Sequence, residues 1–361
     1  MIYKHIFIGP INYPTTGRIT VTVNIYNNLK TNKNILFLDV SKGTKLNNKY
    51  INLIIKLIKY LKALFYLIFL KGKTLSSYMV VEDKRGLWLN ILIIFLLKKK
   101  SNKIFLHHHS SIYITKFNYR MKLLLKLGAT KIVNITQCKL MAEALNKKYN
   151  IKNFSIALPN AFCVPLPNNY SVRIKKRFII GYLGNISYAK GVDILLDLYV
   201  KLHNEYDNIK LIIAGKMNDE KIKNHIFEMK NKYAESIELL GPIFGQDKEK
   251  FFSSINIFIF PTRTETEGIV TLESLSFGKP VIAYGRMCIP SNITESGGLV
   301  ISPNEDFIKF GFEYISKLIN DENLYREVST KSISKFKSLR KSSINTLEQF
   351  INQFLEKSNE E

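Results

Sequence analysis

Acidic side chains are what the first half of this chain lacks: residues 1–170 hold 4 Asp and Glu against 27 Lys and Arg, while residues 171–361 hold 25 against 26. Nearly all of the formal charge of +24 therefore lies in the N-terminal half. Such an asymmetry speaks of an anionic partner for one domain, a membrane surface or a nucleic acid, and says nothing of fold. A lysine-rich composition alone would not leave the second half balanced. Cysteine is sparse as well. Cys138, Cys163 and Cys288 are odd in number and far apart, which argues against a disulfide framework or a Cys-based metal site and predicts reduced thiols in a cytosol. Long apolar runs are missing too. A spanning helix needs about 20 mainly apolar residues, but the run from Ala63 stops at Leu70, and Leu87 to Leu97 is broken by Asn90 and closed by Lys98, Lys99 and Lys100. No transmembrane helix is expected. The N-terminus runs from Met1 directly into a strand-like segment, without the apolar core and cleavage site of a signal peptide, so no export is expected.

What is present fits two domains. A length of 361 residues suggests about that number. In the first half Ile6 to Gly9, Ile35 to Asp39, Tyr78 to Val81 and Lys103 to Leu106 read as short buried strands separated by helix-length stretches, a doubly wound α/β pattern. In the second half Ile255 to Phe260 is a β-rich run, and Gly268 to Phe277 reads as a helix stopped by Gly278 and Pro280. In an open α/β sheet ligands bind outside the carboxyl ends of the strands. That rule puts Glu265 at the mouth of a cleft and Glu273 one helical step behind it. Gly268 lets backbone approach a ligand, and the free amides of the first turn favour a phosphate or sugar oxygen.

The segment Glu265-Thr266-Glu267-Gly268-Ile269-Val270-Thr271-Leu272-Glu273 resembles the Glu-x7-Glu signature of the family 4 (group 1) retaining glycosyltransferases. Other segments agree in order along the chain. Gly181 to Leu196 is similar to the family's first C-domain strand, diphosphate loop and helix; Leu211 to Lys216 to its next strand and turn; Glu238 to Ile243 to the short strand that precedes the base; and Ile293 to Val300 to its closing turn. The resemblance implies a GT-B fold, two Rossmann-like doubly wound domains facing each other across a cleft. The implied boundaries are 1–165 for a basic, acceptor-binding domain, 166–340 for a nucleotide-sugar domain, and 341–361 for a C-terminal helix crossing back to the first. The hinge is expected at Ile156 to Ala161 and the stretch through Pro165, Pro167, Asn168, Asn169 and Tyr170, with residues 356–361 loose.

The resemblance also implies roles. Glu273 would chelate the ribose hydroxyls of the donor, Ile243 would border the base, and Thr266, Glu267, Gly268, Ile269 and Val270 would hold sugar and phosphates by backbone. Lys190, Gly184 and Asn185 would face the diphosphate. The family usually has Arg where this chain has Asn185, which can donate a hydrogen bond but supplies no charge; Lys216 and Arg263 are candidate replacements. Glu265 and His109 would flank the transferred sugar, with His107 as the fallback, and domain closure would bring His109 towards Glu265. In the first strand-to-helix loop, Thr15-Thr16-Gly17-Arg18, only Gly17 answers to the family's glycine-rich turn. His107-His108-His109 invites a metal, but alternation parts His108 from the others and no Cys or carboxylate stands near in sequence, so no metal is expected. No cofactor is expected, the nucleotide-sugar being a substrate.

The function implied is a retaining, metal-independent hexosyltransferase acting on a glycolipid or polysaccharide acceptor, peripheral at the inner, cytoplasmic face of a membrane. Same-face attack and a covalent intermediate both remain open for one carboxylate. Two alternatives stand beside it: a nucleotide-sugar epimerase or hydrolase on the same fold, and a non-catalytic module for anionic surfaces, with nucleic acid the weaker partner. Lys56, Lys59 and Lys62, three apart on an apolar background, read either as the basic side of an interfacial helix or as the solvated edge of a core helix.

Overall fold

The computed structural model describes residues 3–12, 16–42, 49–167, 170, 172, 177–293 and 297–356. Thr15, Asn168, Asn169, Thr294, Glu295, Ser296 and the tail 357–361 lie outside the described residues. The chain divides into two compact units, residues 1–163 with 342–361, and residues 164–341.

The first unit is a six-stranded parallel sheet of β1 (His5–Gly9), β2 (Ile35–Asp39), β3 (Thr74–Val80), β4 (Ser101–His107), β5 (Ile132–Thr136) and β6 (Ser155–Ala157), in the order β2-β1-β3-β4-β5-β6. Helices cover both faces, which is why β1 is buried at every residue and reads as a continuous apolar run. The crossovers include α1 (Gly17–Leu29), capped by the Thr16 hydroxyl, α2 (Lys49–Phe69) and α3 (Leu87–Lys100). The long helix Glu322–Leu355 contributes its last turns here: Phe350 and Phe354 pack on Phe105, and Ser76 Oγ donates to the Phe354 carbonyl at 2.7 Å. Each fully buried Phe is worth about 1.5–3 kcal/mol.

In this unit α2 corrects the sequence reading of its lysines. Lys56 and Lys59 point inward, Lys56 Nζ lying 2.9 Å from Glu82 and Lys59 Nζ 2.6 Å from Asp39, while the apolar face of the helix is exposed. The two acceptors sit at the carboxyl ends of β2 and β3, so the helix rolls to satisfy charge rather than to hide Leu and Phe. The expectation of reduced thiols is also corrected, since Cys138 and Cys288 are each disulfide-bonded.

The second unit is also a six-stranded parallel sheet. Its strands are β7 (Phe178–Leu183), β8 (Ile209–Ala214), β9 (Ile237–Gly241), β10 (Ile257–Phe260), β11 (Val281–Tyr284) and β12 (Gly298–Ile301), ordered β12-β11-β10-β7-β8-β9. Strand order reverses between β7 and β10, the point at which a doubly wound sheet opens a crevice beyond its carboxyl ends.

Candidate active site

The loops leaving β7 and β10 meet at that reversal. After β7 the chain passes Gly184 and Asn185, makes a single turn over Tyr188–Lys190, and enters the helix Val192–Glu205 through Gly191 in the left-handed region, φ +72°. A Cβ at Gly191 would lie 1.9 Å from the Pro261 carbonyl oxygen, so only glycine lets the two loops touch. Arg263, on the second loop, clamps the first: its guanidinium reaches both Asp193 carboxylate oxygens at 2.7 Å, donates to the Tyr188 carbonyl at 2.6 Å and lies 3.9 Å from the Tyr188 ring centroid. Three of its N–H donors are spent on that loop, so Arg263 is a brace between the two loops. Lys216 is exposed, and Asn185 is exposed with its carbonyl taken by the Tyr182 hydroxyl at 2.9 Å.

Lys190 and Glu265 come together here. Lys190 Nζ lies 2.9 Å from Glu265 Oε2 and 3.0 Å from the Thr264 carbonyl, and the Thr266 amide donates to Glu265 Oε1 at 3.0 Å. Gly268, at φ +70°, caps the helix Ile269–Ser276, one residue shorter at each end than the sequence suggested. Ile269 and Val270 therefore open the first turn, where amides lack an intrahelical acceptor. The Thr266 and Glu267 carbonyls are held by the Cys288 amide at 2.8 Å and the Asn292 side chain at 3.3 Å, so this stretch is fixed from behind.

Glu273 sits one turn further on. Burial pushes its carboxyl above the ordinary range, and Lys248 pulls it back through a charge-assisted bond at 2.5 Å to Oε1. Its other oxygen, Oε2, is buried and makes no hydrogen bond among the described residues. Lys248 belongs to the helix Gln246–Ser254, which follows directly on the turn holding Ile243, so the ion pair ties that turn to Glu273. No motif marks Lys248 in the sequence; only the fold brings it to the acid.

His109 and Gly17 belong to the first unit. Gly17 opens α1 and is exposed. His107 ends β4, its Nδ1 2.7 Å from the Tyr78 hydroxyl, and its ring lies 4.0 Å from that of His109, to whose Nδ1 the Gln137 amide comes within 3.3 Å. His108 points the other way, between Tyr113 and Asn134 at 3.1 and 3.0 Å. Burial keeps all three rings neutral, lowering His107 to about 3, His108 to about 4 and His109 well below its usual value. Among the described residues no group of three or more His, Cys, Asp or Glu is arranged to hold a metal.

A second cluster escaped the sequence reading. Glu82, just past β3, accepts from Arg18 at 3.1 Å, Lys56 at 2.9 Å and the Tyr60 hydroxyl at 3.3 Å. Burial alone would raise this carboxyl, but the two cations hold it below its usual range. The cluster stands beside β1 and β3, where the first sheet reverses.

The crevice at the β7–β10 reversal, with its paired acids, coincides with the region matched by the family model described as glycosyl transferases group 1, which covers residues 169–335. That stretch of the chain is similar to the group 1 glycosyl transferases. Among glycosyltransferase relatives the chain is 26% identical over 262 residues to the capsular polysaccharide biosynthesis glycosyltransferase CapM of Staphylococcus aureus, covering 66% of each chain. It is 30% identical over 116 residues to the alpha-monoglucosyldiacylglycerol synthase of Streptococcus pneumoniae, covering 31% of this chain and 25% of that one. The matches thus span less than two thirds of these relatives' length. Among solved structures, Anabaena HepE in complex with UDP-glucose superposes with a TM-score of 0.68 at 12% identity, over 96% of this chain and 99% of that one. That likeness gives the chain a GT-B fold of two Rossmann-like sheets.

Proposed function

We propose that the chain moves a sugar from a nucleotide-sugar donor, with retention and without a metal ion, to a glycolipid or polysaccharide acceptor at the inner surface of a membrane. The observation that carries the donor half is Glu273 Oε2, a buried acceptor with no donor among the described residues, set behind a helix that starts at a left-handed glycine. A pair of neighbouring ribose hydroxyls supplies what it lacks. Glu265, held by Lys190, would meet the sugar hydroxyls. Lys190 and the first-turn amides of Ile269 and Val270 would meet the charge that grows on the departing diphosphate. The capsular polysaccharide and the glucosyl-diacylglycerol in two relatives' names favour those acceptor classes.

Calorimetric titration of nucleoside diphosphates tests the donor site. Glu273→Ala should weaken nucleotide binding about 10- to 100-fold, the worth of hydrogen bonds to a charged group, whereas Glu265→Gln should leave nucleotide affinity within about twofold and lower turnover about 100-fold or more. Unchanged nucleotide affinity in Glu273→Ala sinks the assignment. Product analysis then reads the chemistry: an inverted anomer rejects retention, loss of turnover with EDTA rejects metal independence, and turnover of donor without acceptor favours an epimerase or hydrolase.

A further inference from the structure

α2 is turned inside out for a helix on the surface of a soluble protein. Its inward row is Lys56, Tyr60, Ala63 and Leu67, all buried. Its outward row is Leu53, Leu57, Leu61, Phe65 and Phe69, four apart in sequence and 47–66% exposed. An ordinary surface helix presents its charges to water and its apolar stripe to the core. Here two of the lysines are spent on Glu82 and Asp39 inside. α3 packs against α2 and adds its own exposed row, Trp88, Leu92 and Phe95. Contiguous exposed apolar surface of this kind marks an interaction site.

We propose that the outward faces of α2 and α3 enter the hydrocarbon edge of an anionic bilayer, so that the first unit is held by inserted side chains and not by lysine charge alone. This rests on the membrane-surface reading above and adds to it the residues and the depth. Charge chooses the occupant. Of the 4 acids in residues 1–170, Asp39 and Glu82 are consumed by internal pairs, against 27 Lys and Arg. A second copy of the chain would bring the same positive surface and be repelled. Cations lie close to the aromatic rings on these two helices: Lys62 Nζ is 5.9 Å from the Tyr66 ring, Lys99 Nζ 5.1 Å from Phe95, and the Arg120 guanidinium 5.4 Å from Trp88. Aromatic bodies with cationic tips suit the boundary between headgroups and acyl chains. Neither helix is long and apolar enough to cross a membrane, so the geometry is that of a helix lying in the plane.

Trp88 is the one tryptophan in the sequence and reports on its own site. The full chain is mixed with vesicles of phosphatidylcholine, with or without phosphatidylglycerol, and with the same lipids brominated on their acyl chains. Emission from Trp88 should shift to the blue and be quenched by the bromines when phosphatidylglycerol is present. Leu57→Glu with Phe65→Glu should lower vesicle partitioning at least tenfold, while nucleotide titration at Glu273 stays as in the wild type and certifies the fold. If the double variant does not fold, Leu57→Ser and Phe65→Ser singly should each lower partitioning severalfold. Three results overturn the proposal: equal partitioning of the variants; an unquenched Trp88 on vesicles that salt strips completely, which leaves adsorption by charge and rejects insertion; or a vesicle-free dimer that these substitutions dissolve. Failure of the donor reading would appear in the nucleotide titration alone.

Discussion

Glu82 concentrates the electrostatic risk of the first unit in one carboxylate. Its side chain is 6% exposed and that of Lys56 10%, so neither ion has water to fall back on. Removing one member of a buried pair costs far more than the pair contributes, because the survivor is stranded. Glu82→Gln should therefore lower unfolding free energy by about 3 kcal/mol, measured by urea denaturation; a loss under about 1 kcal/mol would mean that water reaches the cluster. The sequence revealed Lys56 and Lys59 as neighbours on a helix but hid their partners. Periodicity says which residues share a face, and it does not say which face looks inward. With so few acids in this half of the chain, Asp39 and Glu82 at strand ends are the partners that turn the lysine face inward. At the second site the spacing of Glu265 and Glu273 was legible, whereas Lys248 and the Arg263–Asp193 fork follow from tertiary packing that leaves no local pattern.

At the scale of elements, the crevice proposed for the donor depends on two loops touching across one missing side chain. A methyl group at Gly191 meets the Pro261 carbonyl oxygen head on, and φ there is +72°. Gly191→Ala should cost about 2 kcal/mol or more from backbone strain alone, and should weaken nucleotide binding because Lys190 would be displaced from Glu265. Thermal unfolding and the nucleotide titration read the two effects separately; an unchanged melting temperature would show that the loops can part at no cost. Strands of this kind are easy to read, since parallel strands buried on both faces leave apolar runs such as Ile6 to Gly9. β10 proved shorter than its run because Ile255 and Asn256 serve the preceding turn, and the Asn256 side chain accepts from the Ile179 amide at 2.9 Å.

Taken whole, the molecule carries a built-in sensitivity to acid. His107 and His108 are held neutral by burial, down to about 3 and about 4, and His109 well below its usual value. In the unfolded chain each would titrate near 6.5. Depressed native values mean that the unfolded state binds more protons, so this stability is present above about pH 6.5 and is lost as pH falls from there towards 4, at about 1.4 kcal/mol per pH unit for each ring. Urea unfolding at pH 7, 6 and 5 should show that slope, and His108→Asn should reduce it by about one proton's worth. A slope unchanged by the substitution would place the acid sensitivity elsewhere. The fold class was legible from ordered motifs in both halves. The exposure of α2 was not, because an apolar helix in sequence looks the same whether it meets a core or a lipid.

The last turns of the helix Glu322–Leu355 have a consequence for biosynthesis. Phe350 and Phe354 are part of the core of a unit that otherwise ends at Cys163. A ribosome making this chain must thread out nearly the whole polypeptide before the N-terminal sheet receives its final cover. Through that interval Tyr78 and Phe105 stand open, and a nascent chain in that condition calls for a chaperone's shelter.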